Sequence, residues 1–276
     1  MTTGTMPPDR RREFRARSSA VTGYRAAEKI AVPVIDVRLD GPIPNIFGDY
    51  ARQRIGRVAE RSPSPITAIR IRLAARHESA VVNPFVAQVD IAASRPVRVQ
   101  VTGASAPSVV DSLRARVWTR LRTLSAGNAI EGERCPSQAE PLLYLRPVRQ
   151  RTVTRTKFFC LKTRTPPQIA LDMALMDYTF ELFRETGAAT DSVLYRTSHG
   201  DYRLTRLDLR PHSVITGDLP ISIDDAPVPE LDRAEALSRL SLSAAPFLFY
   251  RDRALERGCV LYHRYDGHYG LMTSRR

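Results

Sequence analysis

One strand-forming stretch occurs twice in the chain. VLYRTSHGDYRL spans residues 193–204 and VLYHRYDGHYGL spans 260–271, an offset of 67. Val193, Leu194, Tyr195, Gly200, Tyr202 and Leu204 recur as Val260, Leu261, Tyr262, Gly267, Tyr269 and Leu271. The register continues upstream, where Phe180, Phe183, Arg184 and Glu185 fall on Phe247, Tyr250, Arg251 and Asp252. A fixed period of this kind means that one supersecondary unit is built twice. Each copy reads as strand, longer turn, strand, Gly turn, strand. His199-Gly200 and Asp266-Gly267 suit tight primed hairpin turns, since Gly takes positive φ without a Cβ clash. Phe247 and Phe249 alternate with Leu248 and Tyr250, so both faces of that strand are apolar and the sheet must be covered on both sides. A short helix per copy, around 165–176 and 232–241, covers one face. A unit of about 55 residues is small for a core of its own, and the second copy is tethered at high effective concentration. The expectation is therefore an intramolecular pair of repeats, 153–208 and 219–276, in a monomeric protein. Its packing residues are Phe180, Leu182, Phe183, Tyr195 and Tyr202 from the first copy, and Phe247, Phe249, Tyr250, Tyr262 and Tyr269 from the second.

The first half of the chain alternates differently. Pro33, Ile35, Val37 and Leu39 share one face of a strand at 31–39. Asn45 is placed to cap a following helix, whose Phe47, Ala51, Ile55 and Val58 form an apolar stripe. Three strands follow, at 66–76, 84–92 and 95–102. Ile69, Ile71, Leu73, Phe85, Ala87, Val89, Ile91, Val97, Val99 and Val101 point inward; Arg70, Arg72, Arg76 and Arg98 fall on the opposite parity. A helix at about 106–124 has the stripe Val110, Leu113, Val117, Leu121 and Leu124. Ser105 or Ser108 can cap it, and Ser108-x-x-Asp111 resembles a capping box. The order βαβββα describes a two-layer α+β domain over 31–126, an order shared with double-stranded-RNA-binding folds. Residues 1–30, with Arg10, Arg11, Arg12, Arg15 and Arg17, read as a disordered basic arm. Residues 127–152 read as a linker.

Charge is unevenly spread. The net charge is +13, and residues 31–130 carry 14 basic against 7 acidic residues, whereas the repeated half is close to neutral. This asymmetry points to a polyanion-binding module followed by a packing module. The candidate phosphate contacts are Arg70, Arg72, Arg76 and Arg98 on the sheet, with Arg52, Arg57, Arg114, Arg116, Arg120 and Arg122 on the helices. Trp118 reads as a packing residue at the stripe edge. No glycine-rich phosphate loop and no nucleophile elbow is present. His77, His199, His212, His263 and His268 lack metal-ligand spacing, and Cys135, Cys160 and Cys259 are odd in number and far apart. No cofactor, metal or enzymatic activity is expected. No apolar run approaches a membrane span, and a cytoplasmic protein with free thiols is expected.

These motifs resemble the long-form ribosome hibernation-promoting factors, relatives of the cold-shock ribosome inhibitor Protein Y. Val153, Arg155, Lys157 and Phe159 reproduce that family's V-x-R-x-K-x-F lead-in. Phe180, Phe183 and Arg184 match its F-x-x-F-R in the first copy; Tyr262, Asp266, Gly267, Tyr269, Gly270 and Leu271 match its later strand and turn in the second. Two copies in place of one resemble the variant described as ribosome-associated factor under hypoxia. The first copy has Arg203 where the second has Gly270, and the second lacks the V-x-R-x-K-x-F lead-in. The resemblance implies a ribosome partner, with small-subunit ribosomal RNA bound in the messenger and transfer RNA channel and translation blocked during stress or dormancy. A general double-stranded-RNA-binding protein or RNA chaperone is the alternative.

Overall fold

The computed structural model describes residues 33–274, apart from 63, 76–83, 127–145, 198, 210–212 and 265–266. The basic arm at 1–30, most of the 127–152 linker, Arg76, Cys135 and Asp266 lie outside the described residues. The chain is mixed α and β. Its first part follows the expected order: β1 (Val34–Asp40), α1 (Asn45–Glu60), β2 (Ala68–Ala75), β3 (Phe85–Ala92), β4 (Val97–Gly103) and α2 (Ala106–Ala126). The sheet order is β1-β2-β3-β4. β1 and β2 run parallel because α1 crosses between them, and the other pairs are antiparallel hairpins. Both helices lie on one face, where Ile55, Ile71, Val89, Val99, Leu113, Val117 and Leu121 are fully buried. Trp118 packs at the edge of this core.

The cap of α1 differs from expectation, whereas Ser105 caps α2 as expected, without a box from Ser108 to Asp111. Pro44 is the N-cap of α1 and no side chain caps it, so Asn45 is the first helical residue. Ser105 and Ser108 bond reciprocally ahead of α2, each backbone N–H donating to the other's Oγ at 3.3 Å. Asp111 is thereby left to accept from Tyr50 in α1, at 3.0 Å. Serine is short enough to reach back to the first turn, whereas Asp111 faces the neighbouring helix.

The second part holds the two copies. A single 3-10 turn, Val148–Gln150, leads into β5 (Val153–Phe159), β6 (Thr163–Arg164), α3 (Pro166–Met176), β7 (Phe180–Glu185), β8 (Asp191–Arg196) and β9 (Tyr202–Arg206). The second copy follows as β10 (Ile221–Asp224), β11 (Glu230–Leu231), α4 (Arg233–Leu242), β12 (Phe247–Asp252), β13 (Arg257–His263) and β14 (Tyr269–Ser274). Both helices carry a capping box, Thr165 with Gln168 and Asp232 with Glu235. Gly200 and Gly267 have positive φ, 92° and 76°. Their turns are longer than the expected two-residue type: the Gly200 N–H donates to Thr197 O and the Thr197 N–H donates to Asp201 O. Gly therefore ends a wider loop that rejoins the ladder.

The repeats exchange their first strands. One sheet has the order β10-β9-β8-β7-β6 and the other β11-β12-β13-β14-β5. β5, the first strand of the first copy, pairs in parallel with β14 of the second, Leu271 opposite Thr156. β10, the first strand of the second copy, pairs with β9 of the first, Ile223 opposite Leu204. The boundaries at 153 and 219 thus separate the copies in sequence but not in space. β10 fills this place although it lacks the V-x-R-x-K-x-F motif.

Each sheet buries one face under its own helix. Phe183, Leu194, Tyr202 and Leu204 pack on α3 with Ile169 and Met173. Tyr250, Leu261, Tyr269 and Leu271 pack on α4 with Ala236 and Leu240. The other two faces meet: Leu182 and Val193 pack against Phe249 and Val260. The Phe180 ring lies 4.6 Å from Phe247 and 5.6 Å from Tyr262, and Tyr195 lies 5.4 Å from Phe247. Aromatic pairs of this kind add roughly 0.5–1.5 kcal/mol each beyond the area they bury. Six of the ten expected packing residues thus lie between the sheets (Phe180, Leu182, Tyr195, Phe247, Phe249, Tyr262); Phe183, Tyr202, Tyr250 and Tyr269 lie under the helices. The second copy supplies the cover that the first lacks.

Candidate nucleic-acid interface

The structure divides the sequence-derived arginines among three surfaces. The first is the open face of the β1–β4 sheet. Cross-strand register places Asp36, Arg70, Asp90 and Arg98 in one row and Arg38, Arg72, Gln88 and Gln100 in the next. Arg70 lies 3.8 Å from Asp36, Arg72 pairs with Asp40, and Arg98 pairs with Asp90. The parity that collects arginines here also collects Asp36, Asp40 and Asp90. This face is a mixed lattice of charge, close to balanced among the described residues.

The second surface is the outer side of the helices. α1 and α2 lie side by side and parallel, as contacts between residues 50 and 111, 61 and 118, and 64 and 125 require. Tyr50 and Asp111 anchor their seam. Arg54 Nε donates to Tyr50 Oη at 2.9 Å, and its guanidinium lies 3.2 Å from Asp111 and 5.0 Å from the Tyr50 ring centre. Arg61 lies over Trp118 at 5.8 Å. Arg52 is exposed and bonded to Asp49 at 2.6 Å. Arg57, Arg114 and Arg122 lie on this outer side too. Six arginines (52, 54, 57, 61, 114 and 122) thus face three acids, Asp49, Glu60 and Asp111. The positive excess sits on the helices, and it includes Arg54 and Arg61, which the sequence pattern does not single out.

The third surface faces the first repeat and engages three expected phosphate contacts, of which Arg120 is buried and Arg98 and Arg116 are half-buried. Asp177 ends α3 in the left-handed conformation, φ 54°, with a side chain only 3% exposed. It accepts from Arg116 Nη2 at 2.7 Å and from the Gln100 backbone N–H at 3.1 Å, on the outer edge of β4. Arg120, also 3% exposed, approaches the same oxygen at 3.6 Å. Arg98 donates to the Tyr178 hydroxyl at 3.3 Å, and Arg95 pairs with Asp172. Arg98, Arg116 and Arg120 therefore hold the basic domain on the first repeat. Sequence pattern does not reveal this, because the groups that claim them lie about 60–80 residues later. The second copy has Arg239, Ala244 and Ala245 in place of Asp172, Asp177 and Tyr178, so it offers no such dock.

Beside this dock lies a group of titratable side chains. Burial, followed by the nearby Asp172 charge, pushes the Glu181 carboxyl up to about 7. Burial, followed by Arg155, Arg98 and Arg264, lowers the Lys157 ammonium. In the second repeat, burial raises the Cys259 thiol to about 11, which leaves it a packing group bonded to Thr273 Oγ1 at 3.2 Å. No cluster of metal-ligating residues occurs among the described residues, and none of their helices is long and apolar enough to cross a membrane.

Comparison with known proteins recovers the same pair of repeats. The family model for the Sigma 54 modulation/S30EA ribosomal protein C terminus matches twice, over residues 149–204 and 222–271. Both matches include residues of the exchanged strands. The dormancy associated translation inhibitor of Mycobacterium tuberculosis, in strains CDC 1551 / Oshkosh and ATCC 25618 / H37Rv, is 30% identical over 230 residues, covering 79% of this chain and 80% of the relative. Among solved structures, a ribosomal subunit interface protein from Coxiella burnetii is 14% identical, with a TM-score of 0.29; it covers 33% of this chain and 97% of that one. The N-terminal domain of Protein Y from Thermus thermophilus gives the same identity and TM-score, covering 33% and 98%.

Proposed function

Because the chain belongs to the family of long-form ribosome hibernation factors, we propose that it inhibits translation by occupying the ribosome during dormancy or stress. The basic domain, 31–126, binds small-subunit ribosomal RNA in the messenger and transfer RNA channel. It acts by exclusion and carries out no chemistry. The observation that carries this reading is the helical surface, where six arginines outnumber three acids. Their planar guanidinium groups suit bidentate contact with phosphate. Arg57, Arg114 and Arg122 are the principal contacts, and Arg52, which is paired with Asp49, contributes less. Arg70 and Arg72, paired with aspartates, contribute less, and Arg76 follows in the same stretch of sequence. The paired repeats close each other's apolar faces, so the protein stays monomeric and holds single ribosomes idle.

Sucrose-gradient sedimentation of ribosomes with and without the protein tests this directly. The protein is expected to travel with single ribosomes, and its affinity to fall steeply between low and high salt as phosphate counterions are released. A flat salt dependence would remove the electrostatic basis. Abundant paired ribosomes at stoichiometric protein would overturn the idle-monomer reading. Equal affinity for free duplex RNA would assign the chain to general RNA binding instead.

A further inference from the structure

The two copies differ at three linked positions on the face they share. The first has Leu182, Thr190 and Asp191; the second, 67 residues on, has Phe249, Arg257 and Gly258. These differences meet across the interface. The Asp191 carboxylate, 4% exposed, accepts from Arg257 Nε at 2.7 Å and Nη2 at 2.9 Å. It also accepts from the Gly258 N–H at 2.9 Å. The absent side chain of Gly258 makes the room: a Cβ there would stand 2.8 Å from Asp191 Cβ and 2.9 Å from the Phe249 ring. A second bond of the same sense runs from Arg251 Nη2 to Leu207 O, at 3.3 Å.

We propose that these positions form a heterotypic key, so that the face of the first copy accepts only the face of the second. Two first-copy faces brought together would set Asp191 against Asp191, two carboxylates in a buried place without the Arg257 guanidinium that meets Asp191 here. Two second-copy faces would bury Arg257 twice with no carboxylate between them and leave a void at each Gly258. Uncompensated buried charge is strongly unfavourable, and a device that penalises the wrong partner confers specificity as surely as one that favours the right one. In a homodimer of single-copy chains each contact must be self-complementary; here the two sides have diverged into lock and key. The inference rests on the repeat interface alone and is independent of what the basic domain binds.

The test uses full-length chains. Leu182→Phe, Thr190→Arg and Asp191→Gly together give a chain with two second-copy keys. Phe249→Leu, Arg257→Thr and Gly258→Asp give one with two first-copy keys. All six changes together exchange the keys. Each threefold variant is expected to melt lower by on the order of 10 °C, and the sixfold variant to recover more than half of that drop. Mixing the two threefold variants in equal amounts should produce a species of twice the 30.9 kDa chain mass, because each then carries the key that the other lacks. A sixfold variant no more stable than either threefold one would overturn the proposal. So would threefold variants that melt with the parent, or a mixture that stays at single-chain mass. If neither threefold variant folds, the sixfold variant still decides: recovery supports the key, and an unfolded chain refutes it.

Discussion

Asp177 joins the basic domain to the repeats, and replacing it with Asn separates its charge from its backbone role. Asn tolerates the left-handed conformation that ends α3, and its carbonyl oxygen can still accept from the Gln100 N–H. What disappears is the negative charge shared by Arg116 at 2.7 Å and Arg120 at 3.6 Å. The carboxylate is 3% exposed and Arg116 is 23% exposed, so water cannot replace it. A charged hydrogen bond in such a place contributes about 2–3 kcal/mol. The basic domain holds Trp118, the single tryptophan of the chain, so its fluorescence reports unfolding of that domain alone. With a urea slope of about 1.5 kcal/mol/M for a domain of this size, Asp177→Asn should lower the Trp118 midpoint by about 1.3–2 M. A shift under about 0.3 M, less than the scatter of such extrapolations, would refute the view that the carboxylate fixes the basic domain on the first repeat.

Two further outcomes are expected. Arg57→Ala, Arg114→Ala and Arg122→Ala combined should weaken ribosome binding and reduce the salt slope by about one for each phosphate left without its arginine; Arg70→Ala should change both less, as measured by co-sedimentation across a salt series. Glu181 makes stability depend on pH. Its folded carboxyl titrates at about 7 against an ordinary 4.5, so between these values the folded chain keeps a proton that the unfolded chain has released. The contribution of Glu181 to stability therefore falls as pH rises from 4.5 to 7, by up to about 3 kcal/mol, and is level above, while His263 opposes it over much of that range. Glu181→Gln should abolish that decline. Thermal unfolding across pH should then reveal the opposite slope from His263, which burial, followed by the Arg151 charge, lowers to about 4 from 6.5 and which loses stability as pH falls through that range.

Much of the fold is legible in the sequence because alternation and period are local. Ile35, Val37, Ile69, Ile71, Val89 and Val99 all face the core that their parity assigns, and both repeat helices lie within a residue of the expected 165–176 and 232–241. The strand exchange is not legible. A parallel edge strand makes the same backbone bonds to either copy, so the residues of β5 and β10 do not specify which sheet they join. Surface charge escapes for another reason. Parity says which face a side chain takes but not what it meets, so it collects Arg70, Arg72 and Arg98 without pairing them to Asp36, Asp40 and Asp90. Arg116 and Arg120 look like free helix charges because Asp177 is distant in sequence.

The same distance explains why two unlike copies serve where two identical ones would not. Identical faces related by a two-fold axis must be self-complementary, so any residue that gains a partner on one side imposes itself on the other. Joining the copies in one chain removes that constraint. Asp172, Asp177 and Tyr178 can hold the basic domain because their counterparts, Arg239, Ala244 and Ala245, need not do so. Asp191 can enter the space at Gly258 because Gly258 does not have to enter the space at Asp191. A basic domain attached to one copy, and a repeat interface that fits in only one sense, are two results of a single broken symmetry. A chain whose first copy took the second copy's residues at either set of positions should therefore lose one function of the repeats and keep the other: the dock fails and the pairing holds, or the pairing fails and Asp177 still binds Arg116.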